Sequence, residues 1–201
     1  MLLSFLFLLR WGHPNTVSYK DYKDYYKAGY SMFIHENFSI YIFLNYENSY
    51  FLPRVEYAGA EDNRCVFAID LDGDNYKDLA VGNENFMMTY EGGSSTHMNN
   101  GDGTFQYMDQ YVSNASRSIF SVDLDNDGDN DLATANWFFN KVTVLFNNGN
   151  GVFQSEIIYD VGGGPQCIIL SDLDGDGDHE IITANESSDN ITILFNQTGP
   201  Y

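Results

Sequence analysis

Between residues 117 and 160 the chain runs in short apolar stretches broken by Gly and Asn. "RSIFSVD" (117–123) reads as a strand, and "DLATAN" (131–136) reads as a second. "KVTVLFN" (141–147) alternates β-branched with other residues and reads as a third; "VFQSEIIYD" (152–160) follows the turn "NGNG" as a fourth. Strands this short, bounded by turn residues, predict an all-β fold, and no stretch keeps a helical period against them.

The pattern repeats. "NNGDGTFQ" (99–106) matches "NNGNGVFQ" (147–154), "NKVTVLFN" (140–147) matches "NITILFN" (190–196), and "SIYIFLN" (39–45) fits the same template. Three acidic stretches begin at Asp70, Asp123 and Asp172, so a period of about 50 residues runs from near Asn37 to the end. The units fall near 37–66, 66–116, 117–164 and 165–201, after an N-terminal segment, 1–36. The second unit is five residues longer than its counterparts, between Asn83 and Asn99. Four strands per unit of this length is the signature of a propeller blade. About four units are present, which predicts either an incomplete propeller or a small assembly closed in another way. "LSFLFLL" (3–9) is either part of a signal peptide or a closing strand for the last unit.

Composition narrows the function. A hydrophobic content of 43%, with 15 Tyr and 15 Phe, is that of a globular chain in spite of a net charge of −20. That charge argues against nucleic acid, because nothing could neutralise a run of phosphates. No apolar run reaches the length of a membrane span. Cys65 and Cys167 hold matching positions two units apart and read as small core residues rather than a disulfide.

The acid is concentrated in the three stretches. Counting from the first aspartate, acidic residues stand at positions one, three, five and nine. These are Asp70, Asp72, Asp74 and Asp78; Asp123, Asp125, Asp127 and Asp131; and Asp172, Asp174, Asp176 and Glu180. Hard oxygen ligands at alternating positions, with a turn residue at the sixth (Asn75, Gly128, Gly177), make a shell for Ca²⁺, three sites in all. The seventh residues, Tyr76, Asp129 and Asp178, are expected to offer backbone carbonyls. Mg²⁺ suits the pattern less, since it keeps more water. An EF-hand does not fit: its twelfth-position Glu is replaced by Val81, Thr134 and Thr183, and strand sequences, not helices, leave the loops.

The run "DLDNDGDNDLATAN…NKVTVLFNNGNGVFQSEIIYDVGGGP" resembles the FG-GAP/VCBS repeat of bacterial surface and secreted proteins, which is related to the calcium-binding blades of the integrin α-subunit. The resemblance covers about 37–201. It implies a β-propeller with calcium loops between the first and second strands of each blade, and an extracellular role in adhesion or in binding protein or glycan. Two features depart from the family: fewer blades than a closed propeller needs, and a first unit with no calcium loop, where "SYKDYKDYYKAGYS" (18–31) stands instead.

The turns between second and third strands carry aromatics: Trp137, Phe138 and Phe139 in one unit, and Phe86 in the long insert of another. They serve either packing between units or a ligand surface, to which His97 of the insert, read as solvated, could contribute. The chain shows no nucleophile motif and is expected not to be an enzyme. The reading is a calcium-binding, extracellular or cell-surface repeat module for adhesion or ligand binding, which needs further blades or self-association to close. The rivals are the non-catalytic or incomplete part of a carbohydrate-active enzyme, and a structural spacer in a surface protein.

Overall fold

The structure, a computed structural model, describes residues 30–35, 39–46, 50–51, 55–58, 62–84, 93–111, 115–154 and 156–197. Phe86 and "LSFLFLL" lie outside them. The described residues form strands and turns, with no helix.

Four antiparallel sheets follow one another along the chain. The first contains β1 (Tyr30–His35), β2 (Ser39–Tyr46), β3 (Tyr50–Phe51) and β4 (Val55–Ala58), with β2 pairing the other three. The second runs in chain order through β5 (Asn63–Ile69), β6 (Asp78–Asn83), β7 (Gly93–Asn99) and β8 (Phe105–Tyr111). The third repeats that order with β9 (Ser116–Val122), β10 (Asp131–Asn136), β11 (Lys141–Leu145) and β12 (Ile157–Asp160). The fourth has three strands, β13 (Pro165–Ser171), β14 (Glu180–Asn185) and β15 (Asn190–Leu194).

The strands fall where the alternation placed them, to within two residues for the first three of the 117–160 unit. The fourth is shorter: "VFQSEIIYD" supplies an isolated bridge, Asn147 to Phe153, and then β12. The units also share a defect. A register shift at Asn63/Cys65, at Ala135/Asn136 and at Pro165/Cys167 puts a bulge where each first strand begins, which bends the strand and re-aims its side chains. The five extra residues of the second unit lie in the β6–β7 connection, residues 84–92, against 137–140 between β10 and β11.

The sheets stack face to face, and the alternation of side chains decides which sheet each residue meets. Leu71, Ala80 and Met98 of the second sheet pack on Ile119, Leu132, Leu145 and Phe153 of the third. The other side of the third sheet, with Leu124, Ala133, Ala135, Val142 and Val144, packs on Ile168, Leu170 and Ile181 of the fourth. Tyr57 of β4 packs on Leu79 and Val81 of the second sheet. Each sheet therefore has a front, turned to its predecessor, and a back, turned to its successor. Burial of these faces, at about 25 cal/mol per Å² of apolar area, is the main stabilising term.

His97 is the correction to the sequence reading. It was expected to be solvated in the insert, yet it is 1% exposed in β7, paired with Leu79 and set edge-on against Tyr107. The connection ends before Gly93, so "SSTHMN" is the third strand of its unit. His97 occupies the place that Leu145 holds in the third sheet, opposite Leu132.

Candidate functional site: three acidic loops

Each loop joins the first strand of its sheet to the second, and each folds on its own carboxylates in the same way. The first aspartate accepts two backbone N–H bonds. In loop one, Asp70 takes Gly73 N at 2.7 Å and Asn75 N at 2.8 Å. Asp123 takes Asn126 N and Gly128 N, and Asp172 takes Gly175 N and Gly177 N. The third-position carboxylates of Asp72, Asp125 and Asp174 accept from the N–H two residues on. The fifth-position Asp74, Asp127 and Asp176 do the same for the seventh-residue N–H of Tyr76, Asp129 and Asp178. These bonds need positive φ at the fourth residue as well as the sixth: Gly73 and Asn75, Asn126 and Gly128, Gly175 and Gly177. The sixth was expected from the sequence; the Gly or Asn at the fourth carries the same signal.

The ninth residue belongs to the next strand and is fully buried in all three units. Asp78 accepts Leu71 N and Asn99 N, both at 2.8 Å, so one carboxylate ties its loop to the end of the third strand. Asp131 does the same with Leu124 N and Asn147 N. Glu180 accepts Leu173 N at 2.7 Å with Oε2 only. Its Oε1 is buried and has no hydrogen-bond partner among the described residues.

These anchors bring carboxylates together. One oxygen from each of Asp70, Asp72 and Asp78 lies within 4.8 Å of the others; so it is for Asp123, Asp125 and Asp127, and for Asp172, Asp174 and Glu180. Such groups can hold a divalent cation. Burial pushes the Asp131 carboxyl up to about 6, with Asp125 and Asp127 adding to it against the two N–H bonds. Burial likewise raises Asp78, Asp72, Asp125 and Asp174, and neighbouring carboxylates add to each. Carboxylates held this way favour a proton or a metal ion over standing bare.

The seventh residues differ in their side chains. Tyr76 is exposed and lies over Gly101, where a Cβ would stand 2.9 Å from its ring. Asp129 lies beside Gly149, and the buried Asp178 accepts Asn126 Nδ2 at 2.7 Å.

The sequence reading missed how the loops are joined to the following sheet. Asn147 Nδ2 donates to Leu71 O at 2.7 Å, and Asn196 Nδ2 donates to Leu124 O at 2.8 Å, the same contact one unit later. Asn130 Nδ2 reaches Asp70 O. The signal was the Asn that closes each third strand.

Of the aromatic candidates, Trp137 lies between units. Its Nε1 donates to Glu186 Oε2 at 3.2 Å, and the Arg117 guanidinium sits 5.1 Å over its ring. Arg117 also pairs with the buried Glu84, which Arg64 holds at 2.6 Å. Phe138 and Phe139 are exposed on the turn between β10 and β11. Cys65 and Cys167 are free thiols, and burial pushes Cys65 up to about 12, which removes thiolate chemistry there at neutral pH.

No curated protein matches the chain. Among solved structures, one described as the structural basis of specific recognition of non-reducing terminal N-acetylglucosamine by an Agrocybe aegerita lectin is similar at 22% identity and a TM-score of 0.46. The likeness covers 80% of this chain and 49% of that one, so the chain spans about half its length. No helix among the described residues is long and apolar enough to cross a membrane. Residues 123–183, from the first aspartate of the second loop to the strand that leaves the third, match the family model for an FG-GAP-like repeat, and over that stretch the chain carries such a repeat.

Proposed function

We propose that this chain is a calcium-binding, propeller-type repeat module, extracellular or at the cell surface, that binds a protein or glycan ligand and performs no chemistry itself. The observation that carries the calcium reading is Glu180: a fully buried carboxylate with an oxygen that no N–H among the described residues satisfies, grouped with Asp172 and Asp174. An uncompensated buried charge costs several kcal/mol, and a divalent cation removes that cost. Ca²⁺ fits better than Mg²⁺, because the loops offer many protein oxygens, whereas Mg²⁺ takes fewer protein ligands and keeps several waters.

The role of the metal is structural. The same carboxylates already bind their own loop backbone, and the ninth residue ties the loop to the sheet, so they are poorly free to act as an acid or base. Modules of this kind commonly hold Ca²⁺ at about 10⁻⁴–10⁻³ M, which suits an extracellular setting. Phe138 and Phe139 are the residues we assign to the ligand surface, because they are exposed aromatics on a turn.

Thermal unfolding tests the calcium reading. Chelation lowers the Tm, added Ca²⁺ restores it, and Asp125→Ala loses part of that response. At tenfold excess over Kd each site contributes about 1.4 kcal/mol. A Tm indifferent to chelator and to Ca²⁺ overturns the reading.

A further inference from the structure

The acidic loops of neighbouring sheets are bonded to one another by residues that belong to the loops themselves. Asn126, the fourth residue of the second loop, stands between Asp125 and Asp127, two of the three grouped carboxylates there. Its N–H donates to Asp123 Oδ1 within the loop, while its side chain leaves the loop: Nδ2 donates to Asp178 Oδ1 at 2.7 Å. Asp178 is the buried seventh residue of the third loop, and its own N–H donates to Asp176 Oδ1. One hydrogen bond therefore joins two groups of carboxylates.

The first and second loops are joined at a different point. Asn130, the eighth residue of the second loop, donates from Nδ2 to Asp70 O at 2.9 Å, the carbonyl of the first residue of the first loop. Asn147 Nδ2 bridges the same two loops, donating to Leu71 O and to Asn130 O. The two joints cannot use the same residues. Gly73 stands in the first loop where Asn126 stands in the second, and His179 stands in the third where Asn130 does. A side-chain bond between loops is kept at both joints while the residue that makes it changes.

These bonds need both loops to hold their turns. Asn126 reaches Asp178 from a residue at φ +63°, fixed by the bond to Asp123, and Asp178 is fixed by Asp176. On the calcium reading proposed above, a cation draws the grouped carboxylates of its loop together and steadies those turns. Ordering one loop then presents its neighbour with a partner already in place. Repulsion between cations opposes this, and salt screens it.

We propose that the Asn126–Asp178 and Asn130–Asp70 contacts couple the three cation sites in series, so that filling one loop raises the affinity of the next. The second loop is the hub, because it carries both contacts. The proposal rests on the calcium reading and adds to it a cooperativity that three independent sites would lack.

Ca²⁺ titration of the isotope-labelled full chain by NMR, in about 0.15 M salt, reads each loop separately. The N–H groups of Asn75, Gly128 and Gly177 donate to Asp70, Asp123 and Asp172, so they report the first, second and third loops. Glu180→Gln weakens the third site, and it should raise the Ca²⁺ concentration that half-fills the second loop about fivefold, the low end of ordinary coupling between sites. In an Asn126→Gly background the same substitution should leave the second loop's midpoint where it is. Glycine suits the positive φ at that place, as Gly73 and Gly175 show in the other loops. Asn130→Ala, outside the first loop, should raise the first loop's midpoint about fivefold, a check that stands even if Glu180→Gln does not fold. If Ca²⁺ moves none of these amides, the calcium reading falls and the coupling falls with it. Loops that fill at midpoints indifferent to Glu180→Gln and Asn130→Ala overturn the coupling alone, as does a second-loop shift that survives Asn126→Gly.

Discussion

The third and fourth sheets are nearly the same sequence in two environments. Val142, Thr143 and Val144 of β11 correspond to Ile191, Thr192 and Ile193 of β15, yet the valines are buried and the isoleucines are exposed. The strand pattern, the loop and the polar pairs are identical in kind, so burial is here a property of the neighbour and not of the segment. Binary patterning tells a strand which of its faces is apolar; only the next sheet tells it whether that face is covered.

The largest expected difference follows directly. Val142→Lys puts an unpaired charge between two sheets and should cost several kcal/mol, enough to unfold a domain of ordinary stability. Ile191→Lys, at the matching position, should shift stability by no more than about 0.5 kcal/mol, as exposed substitutions do. Urea denaturation of dilute protein measures both. Equal losses at the two sites would mean that the fourth sheet is covered in solution as the third is.

On the proposed calcium reading, the loops at these joints respond to pH with a sign that depends on the metal. In the chelated protein Asp131, raised to about 6, binds a proton more readily folded than unfolded, where an aspartate titrates near 3.9. Stability therefore falls as pH rises from about 4 to 6, and acidification through that window strengthens the metal-free fold. Relief of the −20 net charge works in the same direction. With Ca²⁺ present the slope reverses, because protons then compete with the cation for the grouped loop carboxylates. Denaturation midpoints at pH 4.5 and 7, with and without Ca²⁺, show whether the two slopes have opposite signs. Parallel slopes would detach these carboxylates from the metal.

How much of this was legible in the sequence depends on the strength of the local signal. Asp123 to Asp131 could be read as a folded loop because five aspartates repel unless something organises them, and the Gly and Asn among them permit the turns. The strands of the 117–160 unit were legible because β-branched residues alternate there. "SSTHMN" has no such alternation, so His97 read as part of a loop; counting back from Asn99, as Leu145 counts back from Asn147, would have placed it opposite Leu79. Trp137 was open between packing and ligand contact because the choice depends on Arg117 and Glu186, far away in sequence. The exposure of Ile191 and Ile193 among the described residues could not be read at all, since they are residues of a buried face.

What the third and fourth sheets share, and the second lacks, supports the smallest effect. Thr134 Oγ1 donates to Asn136 Oδ1 at 3.2 Å while Asn136 Nδ2 donates to Thr143 Oγ1 at 2.7 Å; Thr183, Asn185 and Thr192 repeat that triangle. In the second sheet Val81 takes the threonine's place, and Asn83 turns its Nδ2 to Asn63. Asn83 Oδ1 and Ser95 Oγ are then buried with no hydrogen-bond partner among the described residues. Val81→Thr restores a donor of the right shape, and we expect a gain of about 0.5–1.5 kcal/mol, the usual net worth of one buried hydrogen bond. Val144→Thr, on the apolar back of the third sheet, makes the same change where no acceptor waits and should cost about 1–3 kcal/mol. If both substitutions destabilise equally, the second sheet satisfies its polar atoms by another route, and the triangle is a habit of sequence with no energetic weight.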